Sequence, residues 1–118
     1  MNAMTTLLGI TSNDAGGYTM SYGEHLIGNP DVPALHGGGV ATLLETAARA
    51  VVAKETNENS ATMSDITVSF LKPARPCDTH AHATIIRCGR RVATVQVIAW
   101  QESQDKPVAS AVVTLLRP

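Results

Sequence analysis

The sequence has almost no net charge and few aromatic rings, and each shortage excludes a class of function. Its 118 residues carry nine Lys and Arg against ten Asp and Glu, so the formal net charge is −1. A chain so nearly neutral has no field that draws it to nucleic acid or to a membrane surface. With one Phe, one Trp and two Tyr, it also lacks a set of rings on which bases could stack. We therefore expect neither a nucleic-acid partner nor a membrane partner.

Cysteines and long apolar runs are equally scarce. Cys77 and Cys88 are not spaced as a C-x-x-C pair and are too few to hold zinc unaided. Nothing marks the chain as secreted, which disfavours a disulfide between them, although the sequence alone leaves that pairing open. No apolar run approaches the ~20 residues of a membrane span, and the start of the chain does not read as a signal peptide. We therefore expect a cytoplasmic protein.

The longest regular pattern predicts an amphipathic helix over residues 38–54. Its apolar residues recur at the i, i+3, i+4, i+7 spacing that places them on one helix face. This stripe consists of Val40, Leu43, Leu44, Ala47, Ala48, Val51 and Val52. At ~100° per residue, Glu45 lies about 120° from the centre of the stripe, which puts it on the flank of the helix and outside the core.

Alternation of apolar and polar residues predicts strands on both sides of the helix. These strands are expected over residues 18–27, 62–71, 79–87, 91–101 and 108–116. Residues 28–33 contain two prolines and a glycine and are expected to be irregular. Residues 1–15 are expected to form a loose arm or a short strand.

Tight turns between the last four strands favour an antiparallel sheet, and a helix with one apolar stripe can cover only one face of it. We therefore predict a single α+β domain over residues 1–118, with one long helix against five or six antiparallel strands. The opposite face of the sheet would carry Ile86, Ile98 and Trp100. Such a face left in water favours association of several copies of the chain.

A histidine, a run of glycines and a carboxylate mark the start of the helix. His36 precedes Gly37 and Gly38, and Glu45 follows on the helix flank. Glycines at a helix start let a ligand approach the bare backbone, where N–H groups and the positive end of the helix dipole point outward. A carboxylate nearby supplies a base or a nucleophile.

The pattern His-Gly-Gly-x-x-x-x-Leu-x-(Asp or Glu) is followed by Ser-Phe-Leu-Lys-Pro-Ala at residues 69–74 and Gly-Arg-Arg-Val-Ala at residues 89–93. In this order and spacing the chain resembles the hotdog-fold acyl-CoA thioesterases of the phenylacetate-degradation type, over residues 23–118. The resemblance implies a long helix wrapped by a curved antiparallel sheet, and homodimers joined sheet edge to sheet edge that frequently pair into homotetramers. It also implies active sites at the dimer interface. There an aryl or medium-chain acyl-CoA would be hydrolysed without metal or separate cofactor, the CoA being part of the substrate.

The resemblance also implies roles for the residues at the helix start. Glu45 would act on the thioester carbonyl as nucleophile or as base for a water, and a Glu where Asp is commoner leaves that choice open. Gly37 and Gly38 would donate backbone N–H groups to the oxyanion, and His36 would orient its neighbours. The plainer alternatives are a tight turn for the glycines and a loop contact for the histidine. For the carboxylate the alternative is an i,i+4 pair of Glu45 with Arg49, worth a few tenths of a kcal/mol.

Two further polar groups are candidates for the same site. Asn29 lies seven residues before His36 and would help to hold the thioester oxygen or a water. Its alternative is a turn-forming Asn before a proline, and Asp31 is a competing candidate. Ser64, or Thr62, would offer a hydroxyl to the attacking water from the facing strand.

Basic residues that resemble those meeting the CoA phosphates lie after two of the strands. They are Arg90 and Arg91, with Gly89 in the same turn, and Lys72 and Arg75. Arginine suits phosphate because its planar fork donates two hydrogen bonds at once. The alternative is a pair of solvated turns with ordinary surface charges.

His80 and His82 would place two imidazoles on one strand face, as in a metal clip. Without a third ligand nearby we expect them at the surface or at an interface, and we expect no metal. Trp100 is expected to serve subunit packing.

The leading hypothesis is therefore an acyl-CoA thioesterase. The second is a non-catalytic hotdog module that binds acyl-CoA. The third is a hotdog enoyl-CoA hydratase, which the Asn-Pro at residues 29–30 followed by His36 faintly suggests. The continuous His-Gly-Gly helix argues against it.

Overall fold

A 20-residue helix and a six-stranded sheet packed against it make up most of this computed structural model. The structure describes residues 9–12, 17–21, 27–29, 32–35 and 37–118, and only the backbone of 27–29, 32–35 and 37. The elements are β1 (Ile10–Ser12), β2 (Tyr18–Met20), β3 (Ile27–Asn29), β4 (Val32–Leu35), α1 (Gly37–Thr56), β5 (Thr62–Phe70), β6 (Thr79–Cys88), β7 (Val92–Trp100) and β8 (Ala109–Leu116). The sheet order is β1-β2-β6-β7-β8-β5, with every neighbouring pair antiparallel. The predicted α+β architecture is confirmed.

The helix α1 buries the stripe that its sequence predicts. Six of the seven stripe residues are at most 3% exposed, and Val51 is partly buried against them. The helix begins at Gly37 and ends before Asn57, whose φ of 59° is the left-handed conformation that commonly closes a helix. Lys54 in the last turn complements the negative end of the helix dipole.

The face of the sheet under α1 is built from small and medium side chains. Along β7, Ala93, Val95, Val97 and Ala99 are all fully buried, and the residues between them face the other way. Alanines at positions 81, 109 and 111 continue this surface on the two neighbouring strands. Because these side chains are short, the helix packs close to the strands along its length.

Two bulges interrupt the register of the sheet. The first lies between Ile85 and Arg87 in β6 and leaves Ile86 58% exposed. The second lies between Met63 and Asp65 in β5 and places Ser64 at the irregularity. A bulge inserts one residue opposite a regular strand, which turns the side chains that follow onto new faces.

The segment before the helix differs from the prediction. Residues 28–33 were expected to be irregular, but β3 and β4 form a two-stranded hairpin there, with a register shift between Ile27 and Asn29. Pro33 is compatible with β4 because the strand has β3 as its one partner in that sheet, and proline is permitted where an N–H need not join a ladder. Prolines exclude a central strand of a sheet, but β3 and β4 form a separate two-stranded sheet that has no central strand.

The N-terminal part is described in pieces. The strand predicted over residues 18–27 is shorter, because β2 ends at Met20 and residues 22–26 lie outside the described part. Within the predicted arm, Ile10–Ser12 form β1, and residues 1–8 and 13–16 lie outside the described part.

The outer face of the sheet mixes apolar side chains with polar ones such as Thr94, Gln96 and Ser110. Ile98 and Trp100 are half-buried there, and Val112 and Leu116 are 43% and 45% exposed. In the part of the chain that the structure describes, no helix has both the length and the apolar character that crossing a membrane requires.

Two adjacent leucines test which face of the sheet forms the core. Leu115 is fully buried and Leu116 is 45% exposed, so the same truncation should differ in cost. We expect Leu115→Ala to lower the free energy of unfolding by about 2–5 kcal/mol, since it leaves a cavity. Leu116→Ala should cost less than about 1 kcal/mol. Urea unfolding followed by circular dichroism measures both, and equal losses would contradict this assignment of faces.

Candidate active site

The start of α1 presents backbone amides without an acidic side chain close by in sequence. Gly37 is the first helical residue, and the first turn contains no acidic residue. The aligned peptide dipoles of a helix concentrate positive potential at this end. The Gly38 carbonyl accepts a hydrogen bond from Thr42 Oγ1 at 2.8 Å, which steadies the turn. This end of the helix therefore suits an anion or an oxyanion.

Three candidate residues of the site lie wholly or partly outside what the structure describes. His36 lies outside the described residues, immediately before the helix. Asn29 is the last residue of β3, and only its backbone is described, while Asp31 lies outside. The roles assigned to these three residues stay predictions.

Glu45 lies on the flank of α1, as the helical spacing predicts, with its side chain 33% exposed. Its Oε2 accepts a hydrogen bond from Arg49 Nε at 2.8 Å. Arg49 also donates from NH1 to the carbonyl of Ala61 at 2.8 Å, and Ala61 immediately precedes β5. The i,i+4 pair of Glu45 and Arg49 is thus present, and Arg49 also bonds the Ala61 carbonyl outside the helix.

β5 is an edge strand, and Ala61, which immediately precedes it, accepts the second hydrogen bond of Arg49. It pairs with β8 on one side, and it stands last in the strand order of the described sheet. Thr62 and Ser64 are exposed near its start, at the end of the strand that Arg49 approaches. These hydroxyls lie on an edge strand, and an edge strand has backbone groups available for another strand.

The turn that carries Arg90 and Arg91 is held from several sides. Gly89 N–H donates to the Val92 carbonyl at 2.9 Å, and a side chain at this glycine would place its Cβ 3.1 Å from the same oxygen. Arg117 donates from NH1 to the Gly89 carbonyl at 2.6 Å, and its own N–H bonds the Arg91 carbonyl at 2.7 Å. Both arginines of the turn are exposed.

Sequence reasoning missed Arg117. Its NH2 bonds Glu58 Oε1 at 2.9 Å, so it ties the end of β8 to the loop after α1 as well as to the turn. The hydrogen bond with Glu58 raises the pKa of Arg117 above its usual value. A lone arginine one residue from the end of the chain gives no local pattern by which it could be found.

The four predicted CoA-binding cations do not come together in one chain. Arg90 and Arg91 lie before β7, whereas Lys72 and Arg75 lie beside the turn that follows it. The nine residues of β7 separate the two ends of the sheet by about 26 Å, at ~3.3 Å per residue. The Arg75 backbone is held by the Gln101 side chain, and its guanidinium faces Glu102 at 3.4 Å.

The two histidines of β6 lie on the outer face of the sheet. His80 Nδ1 is 2.9 Å from Thr19 Oγ1, and its ring centroid is 5.8 Å from that of Trp100. Across the described ranges, no three side chains of His, Cys, Asp or Glu gather where they could hold a metal ion. Cys77 and Cys88 are both free thiols.

Comparison with known proteins supplies the context for this geometry. The profile of the thioesterase superfamily matches residues 33–108, which include α1 and the strands β5, β6 and β7. No curated protein matches the chain.

Many solved structures share the fold. One is a protein from Bacillus halodurans crystallised with CoA, 26% identical, with a TM-score of 0.85, covering 98% of this chain and 76% of that one. Another is a thioesterase from Haemophilus influenzae, 25% identical, with a TM-score of 0.83, covering 98% and 82%. A third is a phenylacetic acid degradation-related protein from Ralstonia eutropha, 24% identical, with a TM-score of 0.82, covering 99% and 91%.

Proposed function

This chain belongs to the thioesterase superfamily, with the hotdog architecture of one helix against an antiparallel sheet, and we propose that it hydrolyses an acyl-CoA thioester. Attack on the carbonyl would break the C–S bond and form a C–O bond, releasing a free acid and CoA as its thiol. The Haemophilus relative is a thioesterase and the Bacillus relative was crystallised with CoA, which supports this substrate class. The single observation that carries the proposal is a glycine-led helix start followed by a flank carboxylate on that helix.

In this proposal Gly37 polarises the carbonyl and Glu45 drives the attack. The Gly37 N–H, with Gly38 beside it and His36 orienting the groups, would stabilise the negative charge that grows on the carbonyl oxygen. Glu45 would either attack the carbonyl carbon itself, forming an anhydride that water cleaves, or take a proton from the attacking water. Asn29 and Ser64 would help to place the thioester oxygen or that water.

The separation of Gly37 and Glu45 along the helix argues that the two groups of one site come from different copies of the chain. Gly37 and Glu45 are eight residues apart, which is about 12 Å along the helix axis. A donor and a nucleophile or base must both lie ~3 Å from one reacting group. We therefore propose a homodimer in which Gly37 of one copy and Glu45 of the other face the same thioester. The exposed edge β5 would be the site of pairing between the two sheets.

The CoA phosphates are assigned to the turn at Arg90 and Arg91. Its arginines are exposed and its backbone is held in place by Arg117. Arg75 faces Glu102, and Lys72 lies at the same far end of the sheet, so these two are weaker candidates within one chain. A second copy could still bring them to the same ligand. We also propose a cytoplasmic location, in keeping with two free thiols.

The carboxylate is tested by Glu45→Gln, which keeps the size and the hydrogen-bonding shape but removes the charge. We expect kcat for release of CoA thiol from a panel of aryl- and acyl-CoA substrates to fall at least ~10²-fold, because neither base nor nucleophile remains. Glu55→Gln, an exposed position on the same helix, is the matched control and should leave kcat unchanged. Full activity in Glu45→Gln would refute this mechanism.

Calorimetry with the same substrates separates binding from turnover. A wild-type protein that binds acyl-CoA tightly without releasing thiol would be a binding module. Hydration of an enoyl-CoA, followed by loss of its ultraviolet absorption, would instead indicate a hydratase.

Mixed dimers test whether the site is shared. Gly37→Pro removes the proposed N–H donor while keeping a residue that the first helical position tolerates, and alone it should lower kcat by ~10²-fold. In equal co-expression with Glu45→Gln, half of the dimers would be mixed, each with one intact site of two. About a quarter of wild-type activity should return. If both groups act within one chain, co-expression restores nothing.

The phosphate contacts are tested by Arg90→Gln and Arg91→Gln. Each should raise KM for acyl-CoA roughly tenfold through loss of a charge-assisted hydrogen bond, with less effect at high salt. Arg87→Gln, exposed in the preceding strand, is the matched control. Larger effects from Lys72→Gln and Arg75→Gln would move the CoA site to the other end of the sheet.

A further inference from the structure

We infer that Arg49 is a positioning residue that fixes the orientation of the Glu45 carboxylate for catalysis. The inference rests on the proposed function, since it concerns how the carboxylate of that site is held. It assigns to Arg49 no contact with the substrate.

The Arg49 guanidinium is hydrogen-bonded to two groups, the Glu45 carboxylate and the Ala61 carbonyl. Arg49 Nε donates to Glu45 Oε2 at 2.8 Å, and NH1 of the same guanidinium donates to the Ala61 carbonyl at 2.8 Å. The guanidinium is planar and rigid, so two bonds from different nitrogens fix both its position and its tilt. A carboxylate bonded to a group fixed in this way is fixed with it.

The bond from Arg49 to the Ala61 carbonyl distinguishes the Arg49–Glu45 pair from an ordinary surface pair. An exposed i,i+4 pair has two mobile partners and contributes little, because both side chains keep many rotamers. Here the side chains of Arg49 and Glu45 are 40% and 33% exposed, and the arginine is also bonded to the backbone of a different element. The bond to Ala61 holds Arg49 in place even when the Glu45 carboxylate is not bonded to it. Arg49 therefore favours one conformation of the Glu45 side chain.

The bond also divides the two carboxylate oxygens between two tasks. Oε2 accepts from Arg49, so Oε1 is the oxygen presented to a water or to the thioester carbonyl. The presence of Glu at this position fits the arrangement. Glu followed by a cation at i+4 is the favourable order on a helix. An Asp, one methylene shorter, would draw the carboxylate away from the guanidinium.

The anchor further ties the carboxylate to the edge of the sheet. Ala61 immediately precedes β5, the edge strand at which we propose that the second copy pairs. Arg49 therefore sets the position of Glu45 relative to that edge, from which the other half of the site would come.

The test is a double-mutant cycle on purified full-length protein, with kcat and KM for thiol release. We expect Arg49→Met to lower kcat about 10- to 30-fold, which corresponds to the rotamer freedom that a glutamate side chain regains. KM should stay within about twofold, because the substrate is not touched. Arg49→Lys should be intermediate, since an ammonium carries the charge but not the rigid fork.

The background variant decides whether Arg49 acts through Glu45. In Glu45→Gln, adding Arg49→Met should cause no further loss of kcat, because there is no longer a catalytic carboxylate to position. If the residual rate of Glu45→Gln is too slow to compare, Glu45→Asp serves as the background. There the arginine substitution should cost less than about threefold, because the shorter carboxylate cannot make the same bond.

Lys54→Met is the matched control, since it removes an exposed cation from the same helix and should leave kcat unchanged. Full kcat in Arg49→Met would overturn the inference. An equal loss in both backgrounds would do the same, since it would show that Arg49 acts independently of Glu45. Failure of the proposed function is seen separately and earlier, as a wild type that releases no thiol or a Glu45→Gln variant that is fully active.

Discussion

The close packing of α1 on the small side chains of the sheet is the constraint on which the rest of the structure depends. Alanines in β6, β7 and β8 leave room for the helix backbone to approach, and Leu43 and Leu44 fill the space that remains. Because the apolar stripe of α1 packs against the sheet, the flank of the helix faces away from the core. On this flank Arg49 bonds both Glu45 and the carbonyl of Ala61, the residue before β5.

The same contact determines which surfaces are left without cover. A single helix shields one face of the described sheet, so α1 covers neither the opposite face, where Ile98 and Trp100 are half-buried, nor the edge β5. In a chain with so few charges on that face, these surfaces favour contact with further copies. The separation of Gly37 and Glu45 along the helix points the same way. In the hydrolytic site that we propose, the two groups come from two chains.

Arginines join elements that are remote in sequence, each through a fork that bonds two partners. Arg49 links the helix to the start of β5, and Arg117 links the end of β8 to the β6–β7 turn and to Glu58. These bonds place the candidate carboxylate and the candidate phosphate-binding turn relative to the same sheet. The cations of this protein thus act in its architecture as well as in any binding of CoA.

The sequence by itself determined the elements whose pattern is local: the helix, through its 3.6-residue stripe, the alternating strands, and the place of Glu45 on the helix flank. Tertiary structure alone decided the rest. It set β5 at the sheet edge, bulged β6 at Ile86, and separated Arg90 and Arg91 from Lys72 and Arg75. It also brought Arg117 to Gly89 and Arg49 to Ala61. Periodicity is carried by neighbouring residues, whereas strand order, register and side-chain partners depend on contacts between residues far apart in the chain.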